Sequence, residues 1–352
     1  MLSDSYGRQI RDLRVSLTDR CNFRCFYCLP DGEPPLARKE TILTFEEIVE
    51  ICEIFVSLGI EKIRLTGGEP LLRKDIESLV EKIAGLKTGV RSPESKVRSP
   101  KSEVENRPAV SKLVDLALTT NGFSLARRAE ALKSAGLDRV TVSLDSLERE
   151  NFRRMTGVDR LEEVLEAIDA AQRADLNPVR VNAVIVRGWN DREIVDLARF
   201  ARETGVSMRF IEYMPLDSKH EWDRALVVPG REIRRAIEAR FPLSLKQSSR
   251  GSETAWKYSF ADGAPGEIGI IAPVTEMFCG QCSRIRLTAD GQIRTCLFST
   301  REHNLRDRLR SGASRREIVE FIREVVFQKE PRHFINDRDF APASRSMSFI
   351  GG

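Results

Sequence analysis

No stretch of this 352-residue chain approaches the about 20 consecutive apolar residues that a membrane-crossing helix needs. Its first residues, Met1-Leu2-Ser3-Asp4, lack the charged-then-apolar layout of a secretory signal, so a cytoplasmic protein is expected. The cysteines number seven, and an odd count in a chain too large to need covalent staples disfavours a disulfide framework. Nor does one sign of charge dominate: a net charge of +4 and a pI near 8.7 suit an anionic ligand but are too small to argue for nucleic acid. The remaining composition, 41% apolar and 31% charged, describes a soluble globular protein of one large domain or two ordinary ones.

Three of the cysteines fall within eight residues, Cys21-Asn22-Phe23-Arg24-Cys25-Phe26-Tyr27-Cys28. This C-x3-C-x2-C spacing can turn three sulfurs toward one point. A zinc site would want a fourth Cys or His nearby, and the next cysteine is Cys52, in apolar helical surroundings that suit a core thiol. Thiolates are the donors that iron–sulfur chemistry selects, and three of them on a four-iron cluster leave one iron open. With Tyr27 before the last cysteine, the segment resembles the signature of the radical S-adenosylmethionine (SAM) superfamily. That resemblance implies that Cys21, Cys25 and Cys28 ligate a 4Fe-4S cluster, that SAM chelates its open iron, and that Tyr27 lies against SAM.

Beyond this loop, strand-like runs alternate with amphipathic helices. Strands are expected at 13–17, 62–66, 116–120, 139–144, 179–186 and 208–212, and helices at 44–58, 74–86, 124–135, 160–174 and 191–204. The first helix opens with a capping box, Thr44-Phe45-Glu46-Glu47. Six such passes imply parallel strands with right-handed crossovers. Polar residues fall at the strand ends, at Thr66-Gly67-Gly68-Glu69, Thr119-Thr120-Asn121, Ser143-Leu144-Asp145 and Glu212-Tyr213-Met214. Barrels build their sites from those ends, so an α/β fold is expected: a partial (β/α)6 TIM-like barrel over 1–215, with an α+β extension over 216–352. Residues 87–112 interrupt the rhythm with a tandem repeat, Val90-Arg91-Ser92-Pro93-Glu94-Ser95-Lys96 then Val97-Arg98-Ser99-Pro100-Lys101-Ser102-Glu103. Rich in Ser, Pro and charge, this segment is expected to be a disordered insertion on the barrel face away from the active site.

A second three-cysteine set, Cys279-Gly280-Gln281-Cys282 and Cys296, has C-x2-C-x13-C spacing around a hairpin signal centred on Asp290-Gly291. A strict two-residue turn would put Cys296 on the face opposite Cys282, Arg284 and Arg286. For the three cysteines to meet, the turn must be odd in length or bulged. Zinc is the rival here, with His303 as its available fourth ligand. Arg284 and Arg286 point instead to phosphate or planar, bidentate recognition.

Together, C-x2-C-x-R-x-R-L-x-x-D-G-x-x-x-x-C-L-F, the N-terminal G-R-x-I-x-D-L-R-x-S-x-T-D-R-C-N-F-R-C and the closing Gly351-Gly352 resemble the GTP 3′,8-cyclases, a radical SAM family of molybdenum cofactor biosynthesis. The resemblance runs from Tyr6 to the last residue apart from the insertion. It implies a second 4Fe-4S cluster on Cys279, Cys282 and Cys296, whose open iron binds guanine. GTP contacts are implied at Arg14, Arg64, Thr119, Arg180, Arg284, Ile285 and Arg286, with Arg209 near the triphosphate or SAM; Arg180 stands where that family usually has Lys. SAM contacts are implied at Tyr27, Gly68, Ser143 and Met214, and catalytic roles at Arg284, Arg286, Gly351 and Gly352. The implied partners are GTP, SAM, an external one-electron reductant and, in the pathway, cyclic pyranopterin monophosphate synthase, with no nucleic acid or membrane and a homodimer left open. The alternatives are another radical SAM enzyme with an auxiliary cluster, an iron–sulfur or zinc binding module, and a pseudoenzyme.

Overall fold

The computed structural model describes residues 1–29, 36–91, 110–216, 222–342 and 345–351. β1 (Asp12–Ser16) leads into the first cysteine loop. α1 (Phe45–Ser57) begins where the Thr44 hydroxyl accepts from the Glu47 amide and the Glu47 carboxylate accepts from the Thr44 amide, and it buries Ile48, Ile51, Cys52 and Phe55. The alternation continues through β2 (Lys62–Thr66), α2 (Ile76–Ala84), β3 (Val90–Arg91), β4 (Val110–Ser111), β5 (Asp115–Thr120) and α3 (Ala129–Ser134). It then runs through β6 (Arg139–Ser143), α4 (Arg149–Thr156), α5 (Leu161–Arg173), β7 (Arg180–Ile185), α6 (Ile194–Thr204) and β8 (Ser207–Glu212). β1, β2, β5, β6, β7 and β8 are parallel neighbours in that order, which is the six-unit partial barrel. α3 is shorter than the expected 124–135 helix, and α4 has no counterpart in the periodic pattern.

The C-terminal part contributes α7 (Gly230–Glu238), β9 (Leu243–Leu245), β10 (Trp256–Phe260), β11 (Glu267–Ile271), β12 (Arg284–Leu287), β13 (Gln292–Arg294), β14 (His303–Asn304), α8 (Arg306–Arg310), α9 (Arg315–Phe327) and α10 (Met347–Ile350). It prolongs the barrel sheet at both edges: β12 joins β1 and β11 joins β8, each in parallel. Eight adjacent parallel strands result within a 12-stranded sheet, and among the described residues no pairing joins β11 to β12. Two buried groups tie the extension to the barrel. Glu212, at the end of β8, accepts from the amides of Gly230 (2.8 Å), Val274 (2.8 Å) and Thr275 (3.0 Å) and from the Thr275 hydroxyl. Arg8 pairs with Asp4 at 2.5 Å and donates to the carbonyls of Cys279, Glu330 and Pro331.

The boundaries of the expected insertion need correction. Its ends belong to the ordered fold: Lys87 bonds Asp138 at 2.7 Å, Val90 is buried, and β3 pairs antiparallel with β4. An apolar residue that finds the core outweighs the polar bias of its neighbours. The repeat itself, from Ser92 to Glu103, lies outside the described residues.

Candidate active site

The first cysteine loop is shaped by what surrounds it. The amides of Cys28 and Leu29 both donate to the Cys25 carbonyl, at 2.9 and 2.8 Å. The end of α4 receives the loop: the Arg24 amide donates to the Thr156 carbonyl at 2.8 Å and the Phe26 amide to Met155 at 3.2 Å. On the other side Gly67 and Gly68 press against Thr18–Arg20, with the Gly68 amide donating to the Thr18 carbonyl at 2.8 Å. A Cβ on Gly68 would strike the Arg20 carbonyl oxygen, so the close approach that glycine permits here is to the chain itself. The Tyr27 hydroxyl donates to Asp145 at 2.6 Å, and Asp145 also accepts from the Val184 amide at 2.8 Å. Burial pushes Asp145 up to about 6 and Glu69, which accepts from Leu71, Thr120 and Asn121, up to about 7. It also raises the thiols of Cys21 and Cys25, and Cys28 to about 12.

The second triad sits at the opposite end of the same strands. β12 runs parallel to β1 with Asp12 beside Arg284, so Cys282 lies at the end where β1 starts and Cys21 beyond the end where it stops. The hairpin pairs Arg286 with Arg294 and Leu287 with Ile293, and the Thr288 amide donates to the Gln292 carbonyl. That leaves a three-residue loop, Ala289-Asp290-Gly291, with Gly291 at φ 78°. This odd length sets Cys296 in register with the side of Arg284 and Arg286, and all three line the same cavity as Cys282. Burial raises the Cys282 thiol, but Arg284 and Lys329 outweigh it and hold it down to about 6. Burial prevails at Cys296, whose thiol is raised.

His303, the candidate zinc ligand, pairs with Ile293 through β14 and is absent from the cavity wall. His333 takes that place instead. It is 6% exposed, its amide donates to Cys279 Sγ at 3.4 Å, and its ring lies edge-on to Phe298 at 5.3 Å. Both ring nitrogens are buried, and burial lowers the ring's pKa against the opposing effect of the Pro273 backbone. Nothing in its spacing from the cysteines marks it. Among the described residues no group of three His, Cys, Asp or Glu is drawn together tightly enough for a single metal ion.

One cavity of about 300 Å³ is lined by all six triad cysteines. Arg14, Arg64, Thr119, Arg284 and Arg286 border it, as do Tyr27, Gly68, Ser143 and Met214. Arg64 donates to the hydroxyls of Thr119 (3.2 Å) and Thr141 (2.9 Å). Arg180 lines instead a neighbouring cavity of about 110 Å³, shared with Arg14, Arg64, Arg209 and Arg284. Strand alternation turns the Ile285 side chain, 1% exposed, into the apolar core, so only its main chain is left to reach a nucleotide. The chain's tail enters the barrel: Arg286 Nη1 donates to the Gly351 carbonyl, and a Cβ on Gly351 would meet Ser16 Oγ and, at 2.8 Å, Thr66 Cγ2. Gly352 lies outside the described residues. Burial lowers the guanidinium pKa of Arg14 to about 10, of Arg180 to about 10 and of Arg209 to about 9, and neighbouring arginines add to it, Arg284 at Arg14, Arg139 at Arg180, and Arg180 with Arg139 at Arg209. Arg64 and Arg286 are depressed further by the same causes. Such a set is stabilised by a polyanion.

This partial barrel, with a three-cysteine loop at one mouth, defines the class. Residues 15–201 match the family model described as the Radical SAM superfamily, and residues 206–335 match that of Molybdenum Cofactor Synthesis C. The fold resembles that of Streptococcus suis SuiB bound to the precursor peptide SuiA, at TM-score 0.61, 13% identity and coverage of 97% of this chain and 76% of that one. It also resembles anSMEcpe with bound AdoMet, at TM-score 0.57, 13% identity and coverage of 92% and 82%. Among curated proteins, the GTP 3′,8-cyclase of Streptomyces coelicolor is 46% identical over all of this chain and 96% of its own length. Those of Corynebacterium glutamicum and Mycolicibacterium smegmatis are 44% and 43% identical, again over all of this chain and over 89% and 92% of theirs. The chain belongs to the GTP 3′,8-cyclase family of the radical SAM superfamily.

Proposed function

We propose that this chain is itself a GTP 3′,8-cyclase. With SAM and an external one-electron donor, it converts GTP to (8S)-3′,8-cyclo-7,8-dihydroguanosine 5′-triphosphate in the first step of molybdenum cofactor biosynthesis. The observation that carries this reading is the 46% identity to the Streptomyces coelicolor enzyme over the whole length of this chain. In this reading residues 1–215 form the SAM-using barrel and 216–352 the extension that completes the site. The enzyme works in the cytoplasm, and its product passes to cyclic pyranopterin monophosphate synthase. No described helix is long and apolar enough to cross a membrane.

Two 4Fe-4S clusters suit the donor sets, because each triad offers three soft thiols to one shared cavity. Cys21, Cys25 and Cys28 would hold the first, and Cys279, Cys282 and Cys296 the second. When bound, the first cluster with SAM supplies a 5′-deoxyadenosyl radical and the second supplies an electron and a seat for guanine. The protein's own work is placement. Tyr27, fixed by Asp145, joins Gly68, Ser143 and Met214 as the wall for SAM. Arg14, Arg64, Arg180, Arg209 and Arg284 take the phosphates, and Arg64 aligns Thr119. The Ile285 main chain borders the base. With its base toward the second triad and its phosphates on the arginines, GTP brings its ribose between the triads. Loss of hydrogen from C3′ then lets that carbon close on C8 within one held molecule. Arg286 holds Gly351 beside the reacting centre, and the apolar walls keep water from reactive carbon.

The test is anaerobic reconstitution with iron and sulfide, then incubation with SAM, dithionite and GTP deuterated at C3′. Deuterium in 5′-deoxyadenosine together with a cyclised nucleotide is expected. SAM cleavage without deuterium transfer would overturn the substrate. No cleavage by a chain loaded with about eight irons would overturn the enzyme.

A further inference from the structure

The smaller cavity contains an arginine that no motif singled out. Arg139 opens β6 at the rim of the barrel where the parallel strands begin, flanked by Asp115 at the start of β5 and Arg180 at the start of β7. Its guanidinium grips the Asp115 carboxylate with two arms, Nε to Oδ1 at 2.8 Å and Nη2 to Oδ2. The third arm, Nη1, is buried and has no partner, and neither has Nε of Arg180 on the same cavity wall. A buried donor arm of a charged group that lacks a protein partner is costly unless a ligand completes it. The wall around it carries seven cationic side chains, those above plus Arg14, Lys62, Arg64, Arg209 and Arg284, against three carboxylates, Asp12, Asp115 and Glu253.

The two cavities share Arg14, Arg64, Arg209 and Arg284, whereas Arg139 and Arg180 border only the smaller one. An elongated anion entering from the large cavity therefore meets the shared arginines first and Arg139 last. We propose that Arg139, aligned by Asp115, binds the outermost phosphate of the nucleotide and makes the site select a nucleoside triphosphate over a diphosphate. The inference rests on the reading of the large cavity as a GTP site. Asp115 acts through Arg139 as a positioning residue: a bidentate carboxylate fixes the plane of the fork and so aims Nη1 into the cavity. The terminal phosphate of a triphosphate carries about two negative charges, about one more in total than the diphosphate has, and it places them where cations are in surplus.

The experiment is anaerobic calorimetric titration of the reconstituted holoenzyme with GTP, GDP and GMP. The wild-type protein is expected to bind GTP more tightly than GDP. Arg139→Gln should weaken GTP by about 10- to 100-fold, the loss of a charge-assisted bond, and leave GDP unchanged, so that the two converge. Asp115→Asn, which keeps the arginine but frees its fork, should weaken GTP by a smaller factor, again sparing GDP. It also serves as the test should the Arg139 variant fail to fold. GTP and GDP weakened equally in either variant, or neither weakened, would overturn the proposal, as would a wild-type protein that binds both equally. A wild-type protein that binds no guanine nucleotide while loaded with iron overturns the substrate reading and this inference with it.

Discussion

The two cysteine triads solve one problem in opposite ways. The first is local: eight residues of chain, received by α4 and the Gly67-Gly68 backbone. The second is assembled from a loop and a hairpin strand, and it is pinned by Arg8 from the far end of the chain. Their electrostatics differ as well. Burial beside Asp145 pushes the first triad's thiols upward; beside the second, Arg284 and Lys329 pull Cys282 down to about 6. A metal-free first site is thus a set of protonated thiols, while the second already holds an anion within a cationic wall. The end of the barrel with the surplus of arginine is the end that suits a polyphosphate.

The comparison breaks most completely at Arg8. Arg8→Ala removes one partner of a buried ion pair, with side chains 5% and 0% exposed, and three carbonyl contacts. A loss of about 3–5 kcal/mol in unfolding free energy is expected. Iron should fall from about eight to about four per chain as the second site loosens and the first persists. Equal loss from both triads, followed with single-triad cysteine variants, would show that they are not independent.

A smaller effect on stability but a large one on turnover is expected for Gly351→Ala. The added Cβ collides with Ser16 and Thr66, costing about 1–3 kcal/mol locally, and displaces the tail that joins the two mouths through Arg286. Turnover should fall by about 100-fold with iron content unchanged. Full activity would remove the tail from the site.

The mildest test sharpens the electrostatic contrast in the metal-free chain. Cys282, lowered from 9 to about 6, is a thiolate above that pH. Its alkylation rate should therefore rise through pH 6 and level off near 7. Cys28, raised to about 12, should remain protonated and slow throughout. Peptide mapping of the alkylated thiols reads both at once, and parallel profiles would erase the distinction.

The first triad was legible because all three cysteines and the adjoining Tyr27 lie in one stretch, where close spacing favours convergence. Four of the six strand ends were legible for a similar reason: polar residues that close apolar runs mark where a barrel opens. That rule looks only to the ends of strands, and it passed over their beginnings. Asp115, Arg139 and Arg180 start their strands, and they form a cavity because β5, β6 and β7 are neighbours. α4 was missed because its eight residues, Arg149–Thr156, carry only three buried side chains, too few for a helical period to stand out. The ordered ends of the 87–112 segment were missed because composition averages over a window and a single Val90 does not shift it.

The sequence by itself determined the chemistry available: six thiols in two sets, an aromatic beside one set and arginines beside the other, and a βα rhythm that must become parallel sheet. The tertiary structure alone decided that the two sets face each other. That follows from the parallel pairing of β12 with β1, a contact between segments some 270 residues apart that no local period encodes. The same pairing brought His333 to the second triad and Gly351 to Arg286, because strand register and burial, not sequence distance, determine which side chains share a cavity.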